Sequence, residues 1–267
     1  MTSPPTYVGA SHPRIKQYVN TKQHRAGTPP RAAAIEGLWS LRAALDANAD
    51  VEVVFVAPGL IRGTATNDAV AEAQRRGAWA YEVSERTIQR LTDRDGPDGV
   101  AAIVHIPHAT FDDLAPTPTT RIVVLYRIEL AGNLGSIIRC ADGAGVSAVI
   151  LSDRRTRITH PVVIKASMGT LFSMPIVDAG AAEAIAWLRD HRVRIVAADP
   201  SATTSYRDAS YVGPVAIVLG SERYGLAPTW RDAADLLVSI PMHGTAVHSL
   251  NIGHAAALIL YERLRAT

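Results

Sequence analysis

The fold turns on Val215-Ala-Ile-Val-Leu-Gly-Ser-Glu-Arg-Tyr-Gly-Leu226. Its first five residues are apolar without alternation. A run that short and uniform reads as a strand covered on both faces, which is the condition of a parallel sheet. Glycine and polar residues come directly after it. Two other places in the second half of the chain repeat this design. Arg121-I-V-V-L-Tyr126 runs into Arg127-I-E-L-A-G-N-L-G-S-I-I-Arg139, and Leu236-L-V-S-Ile240 runs into Pro241-M-H-G-T-A-V-H-S-L-Asn251. Open α/β sheets bind ligands at the carboxyl ends of their strands. One glycine-containing loop there is commonplace, whereas three in one domain imply a built pocket.

Outward from these strands the chain alternates. Strand Arg121–Tyr126, helix Ser136–Ala144 and strand Ala148–Ser152 come first. Helix Ala181–His191 and strand Arg194–Ala198 are next, then strand Val215–Leu219, helix Pro228–Ala234, strand Leu236–Ile240 and helix Asn251–Leu264. Residues 108–120, rich in Pro and Thr, read as a linker. Before it, residues 12–107 form a smaller α/β unit. Its elements are a helix over Ala32–Asn48 (Leu38, Leu41 and Leu45 on one face), strand Val51–Val56, helix Ala69–Gly77, strand Trp79–Val83, a helix capped by Ser84, and strand Val100–His105. Residues 1–11 read as a flexible tail. The fold class is therefore α/β, in two domains, 12–107 and 121–267.

Composition bounds the function. The chain has 267 residues, 48% hydrophobic and 19% charged, so it builds a sizeable core. Cys140 is the single cysteine; it excludes an intrachain disulfide and a Cys-rich zinc site, and it suits a reducing cytoplasm. No apolar run reaches the ~18–20 residues of a membrane span. The start of the chain lacks the pattern of a signal peptide. Net charge is only +2, but no acidic residue precedes Glu36, while Arg14, Lys16, Lys22, Arg25 and Arg31 do. Arg154, Arg155, Arg157 and Lys165 form a second cluster. Arginine-dominated patches suit phosphate and stack on bases, although a solvated surface accounts for them equally.

Several chemistries lack their signature. Gly132-N-L-Gly135 is not the dinucleotide fingerprint, and neither a phosphate-binding loop nor a nucleophile elbow occurs. His248 and His254, six apart, do not share a helical face, so no metal is expected. Cys140 reads as a small core residue.

The three loops together resemble the motifs of the SpoU/TrmH family (SPOUT superfamily) of S-adenosylmethionine-dependent RNA ribose 2′-O-methyltransferases. Asn133-L-G-S-I-I-Arg139 with C-A-D-G-A-G-V resembles the first motif, Leu219-G-S-E-R-Y-G-Leu226 the second, and Ile240-P-M-H-G-T-A-V-H-S-L-Asn251 with its alanine-rich helix the third. Lys165-A-S-M-G-T-L-F-S-M-Pro175 matches the stretch between the first two. The resemblance covers residues 121–265. S-H-P-R-I-K (11–16), A-A-A-I-E-G (32–37) and G-V-A-A-I-V (99–104) look like the L30e-like RNA-binding domain that many members carry. Tyr126 stands where many relatives have Asp, and Ala131 where a Pro often precedes Gly-Asn.

The resemblance implies a catalytic domain with a C-terminal trefoil knot made by the second and third loops. It also implies that S-adenosyl-L-methionine contacts Gly220, Ile240 and Leu250 largely through backbone, with Ala198, Leu219, Met242 and Ser249 beside it. Arg139 matches the family's candidate base. Free arginine holds its proton to above about pH 12, so a positioning role toward the 2′-oxygen or a phosphate is preferred. By the same resemblance, Asn133 and Glu222 shape the pocket; Asn133 alternatively serves a left-handed turn, and Glu222 is expected to pair with Arg139. Ser249 and Asn251 face the acceptor, or cap the last helix. Arg14, Lys16, Lys22, Arg25 and Lys165 are the implied RNA contacts. The family acts as a homodimer through the last helix and the helix after Asn133. The expected activity is rRNA ribose 2′-O-methylation, with 23S rRNA as the first candidate, in the cytoplasm, serving housekeeping or antibiotic resistance. The alternatives are a tRNA 2′-O-methyltransferase and an RNA-binding protein with a decayed catalytic site.

Overall fold

The computed structural model describes residues 4–93, 96–244 and 249–265, with side chains to 262. By internal contacts the chain forms two units: 1–107 with 158–173, and 108–157 with 174–267.

The first unit contains β1 (Thr6–Tyr7), α1 (Pro13–Gln23), β2 (Ala32–Glu36), α2 (Gly37–Asp46), β3 (Asp50–Val56), α3 (Ala65–Arg75), β4 (Trp79–Glu82), α4 (Glu85–Leu91) and β5 (Val100–His105). Its sheet runs β1-β4-β3-β5-β2, with β5 antiparallel to both neighbours. Ala32–Asn48 is not one helix. Alanine favours helix, but pairing with β5 buries Ala32, Ala33, Ala34 and Ile35, and tertiary context overrides that preference. Gly37, at φ 85°, makes the break in a left-handed conformation that a side chain would resist. Ser84 does cap α4, accepting from Thr87 N at 3.3 Å. The stretch read as a tail includes β1, which pairs with β4.

The second unit begins with β6 (Arg121–Tyr126), α5 (Ala131–Gly143) and β7 (Ala148–Ser152). The chain then contributes α6 (Pro161–Ser167) to the first unit. There Gly169 leaves no room for a Cβ, which would lie 2.3 Å from Ala43 Cβ. The second unit resumes with β8 (Ile176–Ala179), α7 (Ala181–Asp190), β9 (Arg194–Ala198), β10 (Val215–Leu219), α8 (Pro228–Ala233), β11 (Leu236–Val238) and α9 (Ile252–Arg265). Residues 108–120 take part in this unit: Ala109 bridges to Val177 and joins its core.

The second sheet runs β11-β9-β10-β6-β7-β8, and every pairing is parallel. Val123, Leu125, Ile217 and Leu219 are buried, and so are their alternates Ile122, Val124, Ala216 and Val218. Both faces are therefore covered, and each buried Val, Leu or Ile contributes about 1.5–3 kcal/mol. The register matters most for function. Leu219 pairs with Leu125 and with Ala198, and Val238 pairs with Ala198. Four carboxyl ends stop at one level, and their loops leave the same edge.

Candidate active site

Those loops enclose a cavity of about 500 Å³. The apolar wall comes from Leu219, Val238, Ile240, Ile252 and Ala255, and Asn133, Asp199, Glu222, Ser249 and Asn251 supply polar groups. The size is that of a small-molecule site.

The turn after β10 is tightly built. Ser221 N donates to Gly225 O and Gly225 N to Ser221 O, both at 2.9 Å. A Cβ on Gly220 would lie 2.3 Å from Gly225 C and 2.5 Å from Leu226 N. Only glycine fits, and it lines the cavity.

Glu222 ties this turn to α5. Its carboxylate accepts from Glu129 N at 3.1 Å, Leu130 N at 3.2 Å and Asn133 Nδ2 at 3.1 Å. An anion at a helix N-terminus satisfies its free amides and complements its dipole. Leu130, the N-cap of α5, supplies no side-chain cap, so the cap comes from the loop after the neighbouring strand, β10. Ala131–Gly135, with two glycines, is therefore already helix. Asn133 does not serve a left-handed turn, contrary to that expectation, because the capped helix takes it into its first turn.

Asn251 completes the chain of contacts. Its Nδ2 donates to Asn133 Oδ1 at 3.0 Å, while its Oδ1 accepts from Gly253 N at 2.8 Å. It is both the cap of α9 and the link from α9 to α5. Ser249 makes no hydrogen bond among the described residues. The third loop crosses 245–248, so its threading, on which the knot depends, lies outside the described residues.

Of the expected cofactor residues, Ala198, Leu219, Gly220, Ile240, Met242, Ser249 and Leu250 all line the cavity. Arg139 does not. It is exposed on α5, six residues past Asn133 and so about 240° round the helix from it. The expected Glu222–Arg139 ion pair is not formed; Glu222 spends its oxygens on the Glu129 and Leu130 amides, just before α5, and on Asn133 instead. Arg14 is bound to Glu52 and Gln17, and Lys22 to Glu36, Asp93 and Leu91 O. Lys16, Arg25 and Lys165 are exposed. Cys140 is half-buried and burial pushes its thiol up, as for a packed rather than reactive cysteine. Among the described residues no group of three His, Cys, Asp or Glu could hold a metal, and no helix is long and apolar enough to cross a membrane.

Asp199 escaped the sequence reading. It is 3% exposed, lines the cavity, and its carboxylate accepts from Arg231 Nη2 at 2.5 Å and from Ser201 Oγ at 2.6 Å. It comes directly after β9, so the strand-end rule that found three loops points to this fourth one as well.

A parallel sheet whose strand-end loops close on one small-molecule cavity is the frame of an α/β enzyme. Residues 120–261 match the SpoU rRNA Methylase family, and residues 12–102 match the MRM3-like substrate binding domain. The chain belongs to the SpoU rRNA Methylase family. A Staphylococcus haemolyticus relative, whose name places it in the TrmH family of tRNA/rRNA methyltransferases, is 30% identical over 86% of this chain and 94% of its own. The 23S rRNA (guanosine(2553)-2′-O)-methyltransferase of Bacillus subtilis is 25% identical over 79% of this chain and 84% of its own. The AdoMet-bound rRNA methyltransferase of Sinorhizobium meliloti has a fold that superposes with TM-score 0.87, at 31% identity over 98% of this chain and 97% of that one.

Proposed function

We propose that this protein transfers a methyl group from S-adenosyl-L-methionine to a ribose 2′-hydroxyl of ribosomal RNA, with 23S rRNA as the first candidate. One observation carries the reading. Four strand-end loops converge on one cavity, and a Glu222–Asn133–Asn251 chain of hydrogen bonds joins three of the elements around it.

The cofactor, when bound, supplies an electrophilic methyl group on a sulfonium. Gly220, Ile240 and Leu250 would hold its adenosyl part through backbone, against the apolar wall of Leu219, Val238 and Ile252. The residues fit such a group: the cavity is of the right size, and Gly220 lines it. Asn251 has both ends of its amide engaged, so it orients the site. Ser249, with no partner among the described residues, is placed to hydrogen-bond the acceptor ribose. Arg139 acts as a cation that positions the 2′-oxygen or the neighbouring phosphate.

Arg139 is exposed on α5, and α5 packs on α9, whose Leu258 and Tyr261 are 40% and 50% exposed. We read this face as the contact between two copies, with Arg139 serving the second copy's cavity. Mixing an Arg139→Ala chain with a Gly220→Ala chain should restore activity that neither shows alone. Absence of restoration sinks the shared site.

The exposed Lys16, Arg25 and Lys165 form the electrostatic footprint for RNA, in the cytoplasm, and affinity should fall steeply with salt. The test is to incubate the enzyme with labelled cofactor and total RNA from cells lacking it, then map 2′-O-methyl stops. Labelled rRNA is expected. Labelled tRNA beside unlabelled rRNA would overturn the choice of substrate, and failure to bind the cofactor would turn the reading to an RNA-binding protein with a decayed site.

A further inference from the structure

The turn after β10 has one residue that the cavity does not use. Gly220, Ser221, Glu222, Arg223 and Gly225 all line it, and Tyr224 does not. Tyr224 is instead 71% exposed. An exposed aromatic alone needs no explanation. The backbone that carries this one is fixed. Its amide donates to Ser221 Oγ at 2.9 Å, inside a turn closed by two backbone hydrogen bonds. Gly225 sits at φ 66°, and Gly220 is wedged against the Gly225 backbone. The Arg223 guanidinium lies over the Tyr224 ring, 5.4 Å from its centre. Glu222, two residues before, ties the turn to the entry of α5 and to Asn133 within it.

An exposed ring on a fixed turn beside the cavity, with a guanidinium over it, is a stacking platform. Single-stranded RNA is recognised by splayed bases that stack on aromatic side chains and Arg planes. We propose that Tyr224 and Arg223 hold the nucleobase next to the acceptor ribose, Tyr224 by stacking on it and Arg223 by supporting the ring and facing the phosphate. The platform rests on the methyltransferase reading and adds to it the substrate's conformation: the RNA enters as an unpaired segment with a base turned out. It makes Tyr224 a positioning residue for the acceptor and leaves the cofactor cavity untouched.

The experiment measures equilibrium binding of a short, mixed-sequence, fluorescein-labelled single-stranded RNA to the full chain saturated with S-adenosylhomocysteine. Four proteins are compared: wild type, Tyr224→Phe, Tyr224→Leu and Tyr224→Ala. Stacking predicts that Phe binds within about twofold of wild type, while Leu and Ala both weaken RNA binding by about 5- to 150-fold. Affinity for S-adenosylhomocysteine and the sedimentation coefficient should not move in any variant. The same variants with total RNA should show the loss in KM for RNA and little in kcat.

The platform is overturned if Leu binds RNA as well as Phe, if Ala binds as well as wild type, or if wild type binds no RNA. It is also overturned if Tyr224→Ala changes the sedimentation coefficient, because the ring would then belong to a protein contact. Wild type that binds RNA through Tyr224 but leaves rRNA unmethylated would sink the proposed function and keep the platform. The two failures are therefore separable.

Discussion

Two glutamates in this protein gather hydrogen bonds in the same way and to different ends. Glu52, on β3 of the first unit, accepts from Arg14 Nη1 at 2.7 Å and Gln17 Nε2 at 2.8 Å, and pairs with His105 Nε2 at 3.1 Å. It ties α1 to the sheet. Glu222, in the second unit, gathers three N–H groups at the strand ends and lines the cavity. The number of partners does not separate structure from function. Position on the sheet does: Glu52 points from within a strand, whereas Glu222 lies beyond the carboxyl end of one, where the chain is free to build a site.

Gly220→Ala should give the largest effect on this comparison. Its Cβ would meet backbone, which cannot rotate away. Overpacking of this kind costs about 1–3 kcal/mol. Calorimetric titration with S-adenosylhomocysteine should show binding abolished; retention of binding would mean that the turn moves freely and that the site is not preorganised.

Next come Glu222→Ala and Glu52→Ala, made in parallel. Each leaves donors unpaired and should cost about 1–3 kcal/mol of stability. Only Glu222→Ala should also lower turnover per folded enzyme by more than about tenfold, the loss of roughly one such hydrogen bond. Equal turnover in the two variants would erase the distinction between the two glutamates.

Asn251→Ala and Ser249→Ala divide the third loop more finely. Asn251→Ala removes a helix cap worth about 1 kcal/mol and loses turnover as well. Ser249→Ala should lower kcat with no change in the melting temperature. If Asn251→Ala loses stability alone, the residue is only a cap.

The smallest effect is in pH. Burial raises the Glu52 carboxyl, but hydrogen bonds from Gln17 and His105 and the Arg14 charge outweigh it, and the net shift is downward. A depressed carboxylate contributes stability that is fully present above its unfolded value, about 4.3. That stability is lost as pH falls through the folded value. Melting temperatures should therefore drop below about pH 4.3 more steeply in wild type than in Glu52→Gln. Parallel curves would mean that Glu52 plays no part in the acid limit of stability.

Much of the site was legible because its signals are local. Val215–Leu219 is uniformly apolar and reads as a strand covered on both faces, the rule of strand ends located the loops after it and after its neighbours, and the resemblance to the family picked out Gly220, Glu222 and Asn251 within them. Ala32–Glu36 was not legible. Its alanines favour helix, and only pairing with β5 makes it a strand. Asp199 was missed, although the same strand-end rule points to it, since it comes directly after Ala198.

The sequence by itself determined the apolar strands, the parallel sheet, the family and the loops that carry the chemistry, because these rest on periodicity and on residues adjacent in the chain. The tertiary structure alone decided the partners. Glu222 meets the amides of Glu129 and Leu130, at the entry to α5, across 93 and 92 residues, and Asn251 meets Asn133 across 118. The same long-range geometry put Arg139 on the outer face of α5, roughly 240° from Asn133, and left Glu222 to cap the helix instead. Spacing in the chain constrains neighbours on one element, whereas contacts at that separation are set by how the sheet brings its strand ends to one edge.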